Sequence, residues 1–175
     1  MQHCALLLII SALVAALVAP LRADPLTHTC TTYRGECRVG MPQLPQRMTQ
    51  IVSRPEERLE MEYESYVAED SAGQVYLLLI AGYAEGIDAM RPEANLEGFL
   101  NGMVGFHEAN RLSKAWFEAV AGRKGMGFII ENDDRRFCGH VLISGQKVYL
   151  LALESPENFP QNEYYQRFLA SFEWL

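Results

Sequence analysis

Cys138 and His140 stand two residues apart in the run Phe137-Cys138-Gly139-His140-Val141. In a β-strand that spacing points both side chains to one face. A thiol held against an imidazole begins a nucleophilic dyad, which also needs a third group to orient the ring. The sequence identifies no acid beside His140. A packed cysteine next to a hydrogen-bonded histidine is the plainer reading of the same residues.

Cys30 and Cys37 are separated by six residues that include Gly35. With His28 they could be imagined around a metal, but the paired spacing of a zinc site and a fourth ligand are both missing. A disulfide between Cys30 and Cys37 is the expectation, closing a small loop and stabilising the fold by about 2–3 kcal/mol. Cys138 then reads as a buried small hydrophobe, although its pairing with either other cysteine stays open.

Glu60, Glu62 and Glu64 alternate along one segment, and Asp133-Asp134 are adjacent. Carboxylates in pairs can share a proton or bind a hard cation. Three acids at strict alternation also describe a solvated strand face, and adjacent aspartates favour turns. No calcium-loop spacing accompanies them. Arg123-Lys124 and Arg135-Arg136 are the local basic groups. Each pair falls beside turn residues, so solvated hairpin tips are the plainer reading; if the domain binds a protein, these four are its expected contact points. A phosphate loop is excluded, because the Gly-rich length and following Ser or Thr are absent. So are the Gly-x-Ser-x-Gly elbow, the His-Glu-x-x-His helix and the nucleotide fingerprint. No cofactor and no metal is expected.

These residues must be held by strands. Leu59 to Val67 alternates cleanly, with Leu59, Met61, Tyr63, Ser65 and Val67 on one face and Glu60, Glu62, Glu64 and Tyr66 on the other. Val75 to Tyr83 is apolar on both faces, and turn residues 69–73 make a hairpin of the two. Thr31 to Val39 reads as one earlier strand, closed by Pro42 and Pro45, and Met48 to Val52 as a short second. Asn95 is a plausible cap for a helix carrying Leu96, Phe99, Leu100, Met103 and Val104. Gly98, Gly102 and Gly105 fall near one side of it, and the expectation is that they permit close approach to a sheet. Strands follow at Ser113–Val120, Met126–Glu131, Arg136–Ile143 and Lys147–Leu153, with turns at 122–125, 132–134 and 144–146. After a loop over 156–160, Asn162 caps a last helix with Tyr165, Phe168, Leu169 and Phe172 as its apolar stripe. Tyr164 and Trp174 fall off that stripe and are candidates for an exposed aromatic pair. Strands, helix, strands, helix is the order of an α+β fold with an antiparallel sheet.

The N-terminus carries a different signal. Cys4 to Ala19 is apolar sequence interrupted only by Ser11, ended by Pro20 and followed by Leu21-Arg22-Ala23. A core this short with a small-residue exit predicts a signal peptide over residues 1–23, leaving 24–175 as one domain. The n-region, Met1-Gln2-His3, departs from the usual pattern in lacking Lys and Arg. An uncleaved anchor reaching Leu21 is the alternative, and would be the chain's sole membrane contact. Export predicts an extracytoplasmic location, periplasmic or secreted, with oxidising conditions. The 175 residues carry a formal charge of −7, which argues against a nucleic-acid partner, since that requires a basic face.

The assembled pattern resembles the PsbP/Mog1 superfamily of α/β/α sandwiches. The resemblance rests on Tyr33-Arg34-Gly35 leading to Met41-Pro42-x-x-Pro45, on Val75-Tyr76-Leu77, and on Ala121-Gly122-x-x-Gly125. It rests also on Lys147-Val148-Tyr149-Leu150 and on Phe168-Leu169-Ala170-Ser171-Phe172. These are core and turn features. The resemblance implies a central antiparallel sheet between helices. Named members of the superfamily differ widely in function: PsbP proteins support photosystem II on the lumenal side, and Mog1 binds the Ran GTPase. It therefore implies no particular partner. The expectation is an exported, non-enzymatic protein-binding or assembly module. The rival is a small-ligand binding protein or hydrolase with its site near Cys138 and His140.

Overall fold

Two apolar runs with almost no polar interruption, residues 77–81 and 148–153, form the middle of the molecule. The structure is a computed structural model and describes residues 25–54, 59–83, 91–133, 135–156 and 161–175. The proposed leader, residues 1–23, lies outside the described residues, as does Asp134.

A seven-stranded sheet is built from β3 (Gln46–Arg54), β4 (Leu59–Glu69), β5 (Val75–Tyr83), β6 (Arg111–Val120), β7 (Arg123–Asn132), β8 (Arg135–Ser144) and β9 (Lys147–Pro156). Its order is β3-β4-β5-β9-β8-β7-β6, with every neighbouring pair antiparallel. Two meanders thus meet at β5 and β9. Helix α1 (Pro92–Val104) connects β5 to the far edge strand β6. A smaller sheet of β1 (His28–Thr31), β2 (Cys37–Met41) and β10 (Glu173–Trp174) has the order β1-β2-β10. Helix α2 (Gln161–Ala170) precedes β10.

Both faces of the large sheet are covered. On one, Leu96 and Leu100 of α1 pack with Phe128, Val141, Leu150 and their neighbours. On the other, Tyr165 and Phe168 of α2, with Val39 and Met41 of the small sheet, pack with Tyr76, Leu78 and Leu151. Each such side chain removed from water stabilises by about 1.5–3 kcal/mol.

Several expectations are corrected. The segment Thr31 to Val39 is not one strand. Thr32 turns the chain, its hydroxyl accepting from the Glu36 and Cys37 amides at 3.1 and 3.3 Å, and Gly35 takes φ +65°. The turn after β6 is Ala121-Gly122 rather than 122–125, with φ +48° and +77°. Two central residues at positive φ make a tight hairpin whose twist matches its strands. Arg123 and Lys124 therefore already belong to β7. Helix α1 starts at Pro92, whose fixed φ suits a first turn, and not at Asn95. Its glycines do not touch the sheet: a Cβ at Gly98 or Gly102 would meet nothing within 4 Å. Leu96 and Leu100 carry the contact instead. Asn162 lies inside α2, not before it.

The expected Cys30–Cys37 disulfide is absent, and both are free thiols. Register is the reason. Cys30 pairs with Val39, so Cys37 is its diagonal neighbour. Diagonal cross-strand residues stand about 7–8 Å apart, beyond the usual reach of a disulfide. Burial pushes the Cys30 thiol up to about 11 and that of Cys37 up to about 12.

Candidate functional site

Cross-strand register gathers the chemistry-bearing groups on the α2 face. Trp116 of β6 lies opposite Gly127 of β7, and Gly127 lies opposite His140 of β8. Only a glycine fits between them. A Cβ there would stand 2.7 Å from His140 Nε2 and inside contact distance of the Trp116 ring. The indole and imidazole consequently meet edge to face, with centroids 5.6 Å apart.

His140 is fully buried, and both ring nitrogens are engaged. Nδ1 bonds Tyr165 Oη from α2, and Nε2 bonds Glu118 Oε1 from β6. The protonation pattern follows from the neighbours. Burial lowers the His140 pKa and outweighs the raising effect of Glu118, so the ring is neutral near pH 7. For Glu118, burial raises the pKa, but hydrogen bonds from Trp116 and His140 more than offset it, so it is a carboxylate. Burial holds the Tyr165 phenol far above its ordinary value. Tyr165 O–H therefore donates to Nδ1, and Nε2–H donates to Glu118. The acid that the sequence did not reveal beside His140 is Glu118.

This chain of groups has the connectivity of a catalytic relay but not its access. Tyr165 is 4 % exposed and His140 not at all. Cys138 shares their face, yet its thiol is buried and pushed up to about 11, the reverse of an activated nucleophile. Both imidazole nitrogens are committed elsewhere, so Cys138 and His140 form no dyad. Glu118 alone reaches solvent. It borders a shallow cleft of about 340 Å³ with Val120, Gln166, Leu169 and Phe172.

The basic residues separate. Arg123 and Lys124 are at one end of β7, Arg135 and Arg136 beyond the other, about 30 Å away along a strand of this length. Lys124 pairs with Glu93 of α1. Arg135 bonds Glu154 at 2.7 Å, and Arg136 bonds Glu131 at 3.1 Å. Arg123 differs, having no ion pair among the described residues. Its guanidinium lies 4.4 Å from the Trp174 ring centroid. Trp174 in turn packs edge-on against Tyr149 and Phe172. Arg123, Trp174, Tyr149, Lys147, Glu36 and Leu175 border an open cleft of about 460 Å³. Of the supposed exposed aromatic pair, Tyr164 and Trp174 are each only partly exposed and pack against the core.

The acidic strand face is not simply solvated. Glu62 pairs with Arg34 at 3.0 Å. Glu64 binds Arg47 at 2.5 Å and accepts the buried Tyr66 hydroxyl. Among the described residues, no group of three or more His, Cys, Asp or Glu is placed to hold a metal ion, and no helix is long and apolar enough to cross a membrane.

No protein-family model and no curated protein sequence matches the chain. A solved structure does: the solution structure of cyanobacterial PsbP (CyanoP) from Synechocystis sp. PCC 6803 superposes with a TM-score of 0.58. The match covers 94 % of this chain and 99 % of that one, at 10 % sequence identity. The chain has a PsbP-like fold.

Proposed function

We propose that this chain is an exported, single-domain, non-enzymatic module that binds a protein partner. A helix on each face of the sheet supports reading it as an α/β/α sandwich. The observation that carries the function is the contrast between its two polar centres. The groups suited to proton transfer, His140 and Tyr165, are sealed inside. Arg123, without an ion pair among the described residues, lies over Trp174 at the rim of an open cleft. Arginine beside a half-exposed aromatic is the side-chain chemistry enriched at protein interfaces. Glu36 and Lys147, ion-paired with each other, line the same cleft. Of the four basic residues expected at the interface, Arg123 has the strongest support, and Arg135 and Arg136 serve the fold first. The rival reading, a hydrolase near Cys138 and His140, lacks an accessible nucleophile.

Capture from an extracytoplasmic extract tests this reading, using the wild-type protein and Arg123→Glu. A partner retained by the first and lost by the second is expected. A clean preparation that captures nothing yet hydrolyses a model ester would reverse the assignment. N-terminal sequencing of the exported form tests removal of residues 1–23.

A further inference from the structure

Strand β6 ends the seven-stranded sheet, and its outer backbone edge has no neighbouring strand among those described. The hairpin geometry says which groups point outward. In a two-residue turn the flanking pair, here Val120 and Arg123, exchanges both backbone hydrogen bonds. By alternation, Glu118 and Trp116 direct N–H and C=O toward β7, while Ala115, Phe117 and Ala119 direct theirs away. The one irregularity, a register shift between Leu112 and Lys114, lies nearer the start of the strand. Lys114 to Val120 is left as a regular, unpaired edge.

We infer that two copies of this chain pair through β6, antiparallel and centred on Trp116. The residue pattern is self-complementary about that centre. Lys114 falls opposite Glu118 of the second copy, and Glu118 opposite its Lys114. On the other face Phe117, 45 % exposed, falls opposite Ala115, so a large side chain meets a small one. Lys114 has no ion pair among the described residues and lies 5.0 Å from the Trp116 ring centroid. The Glu118 side chain, though bonded to His140, is 42 % exposed. Opposite charges facing each other across strands stabilise pairing, and like charges oppose it. The other sheet edge shows no such pattern. Strand β3 has Arg47 and Arg54 and no acid, so no antiparallel self-pairing of it joins opposite charges. A long edge strand is a template for pairing unless blocked, and the charges on β6 select its own copy.

Sedimentation velocity of the purified protein over a concentration series tests this pairing. A reversible dimer is expected. Lys114→Glu should weaken it roughly tenfold or more, because two attractive pairs become repulsive. Ala115→Pro should abolish it, since it removes an outward N–H that the monomer does not use. Should Ala115→Pro fail to fold, a second variant decides. Ala115→Cys with Phe117→Cys should form intermolecular disulfides on mild oxidation, with Cys30, Cys37 and Cys138 buried away from the edge. A monomer at every concentration, a dimer indifferent to both Lys114→Glu and Ala115→Pro, or a dimer that the cysteine pair does not cross-link would overturn the inference.

Discussion

Tyr165 lies parallel to His140, ring planes 7° apart and centroids 5.7 Å apart, with its hydroxyl bonded to Nδ1. Helix α2 is thus tied to the sheet by a directional bond as well as by apolar packing. Tyr165→Phe keeps the ring and removes the donor. A buried nitrogen left without its partner costs about 1–3 kcal/mol. Urea denaturation should show a loss of that size with an unchanged m-value. An unaffected midpoint would mean the hydroxyl bond contributes nothing.

Acid should loosen the same network. The fold favours neutral His140, so the unfolded chain binds the proton first as pH falls. The stability owed to neutral His140 is complete above its ordinary value of 6.5 and declines below it, toward the lower folded value. Glu118 contributes a second loss further down, because its folded pKa lies below the ordinary 4.5. Burial holds the Tyr165 phenol and the Cys138 thiol on the same face above their ordinary values, so both stay protonated near pH 6. Urea midpoints measured from pH 8 to pH 5 should fall below about 6.5. The fall should be flatter between 7 and 5.5 in His140→Gln, itself less stable. A flat wild-type profile contradicts this assignment.

Glycines at two places should respond in opposite ways. Gly98→Ala and Gly102→Ala add a methyl group to open space on α1 and should each stabilise by up to about 1 kcal/mol. Gly127→Ala drives a Cβ between Trp116 and His140 and should destabilise by about 1–3 kcal/mol. Thermal melts of the three variants compare them directly. A stable Gly127→Ala protein would show that the ring pair is not seated as described.

Thiol chemistry checks the cysteines. With pKa values near 11 to 12, Cys30, Cys37 and Cys138 are thiols at pH 8, and all three are buried. Ellman's reagent should leave them untouched in the native protein and label all three after unfolding without reductant. Labelling of only Cys138 in denaturant would restore the Cys30–Cys37 bridge.

Strand β5 is legible residue by residue because its apolar run starts just after the turn at Gly73 and is too short and too rich in large apolar residues for anything but a buried strand. The β1–β2 hairpin is not, since Thr32 and Tyr33 carry strand propensity and the turn depends on hydrogen bonds to the Thr32 hydroxyl. The same-face placement of Cys138 and His140 follows from a period of two and holds. Glu118 stays hidden because it is 22 residues from His140 in sequence. It reaches the ring only through the register of β6 and β8 against β7. Tyr165 reads correctly as core from its helical spacing, but where its hydroxyl goes is a tertiary fact. The basic residues show the converse: Lys124, Arg135 and Arg136 look available in sequence and are paired in space.

Placing β9 between β5 and β8 has a temporal consequence. The two meanders have no common border until residues 147–156 come between them, so a chain delivered N-terminus first holds two half-sheets with open inner edges until its last sixth arrives. Closure is therefore a late, long-range event. A premature stop before Lys147 therefore leaves two half-sheets with open, adhesive inner edges rather than a smaller folded protein.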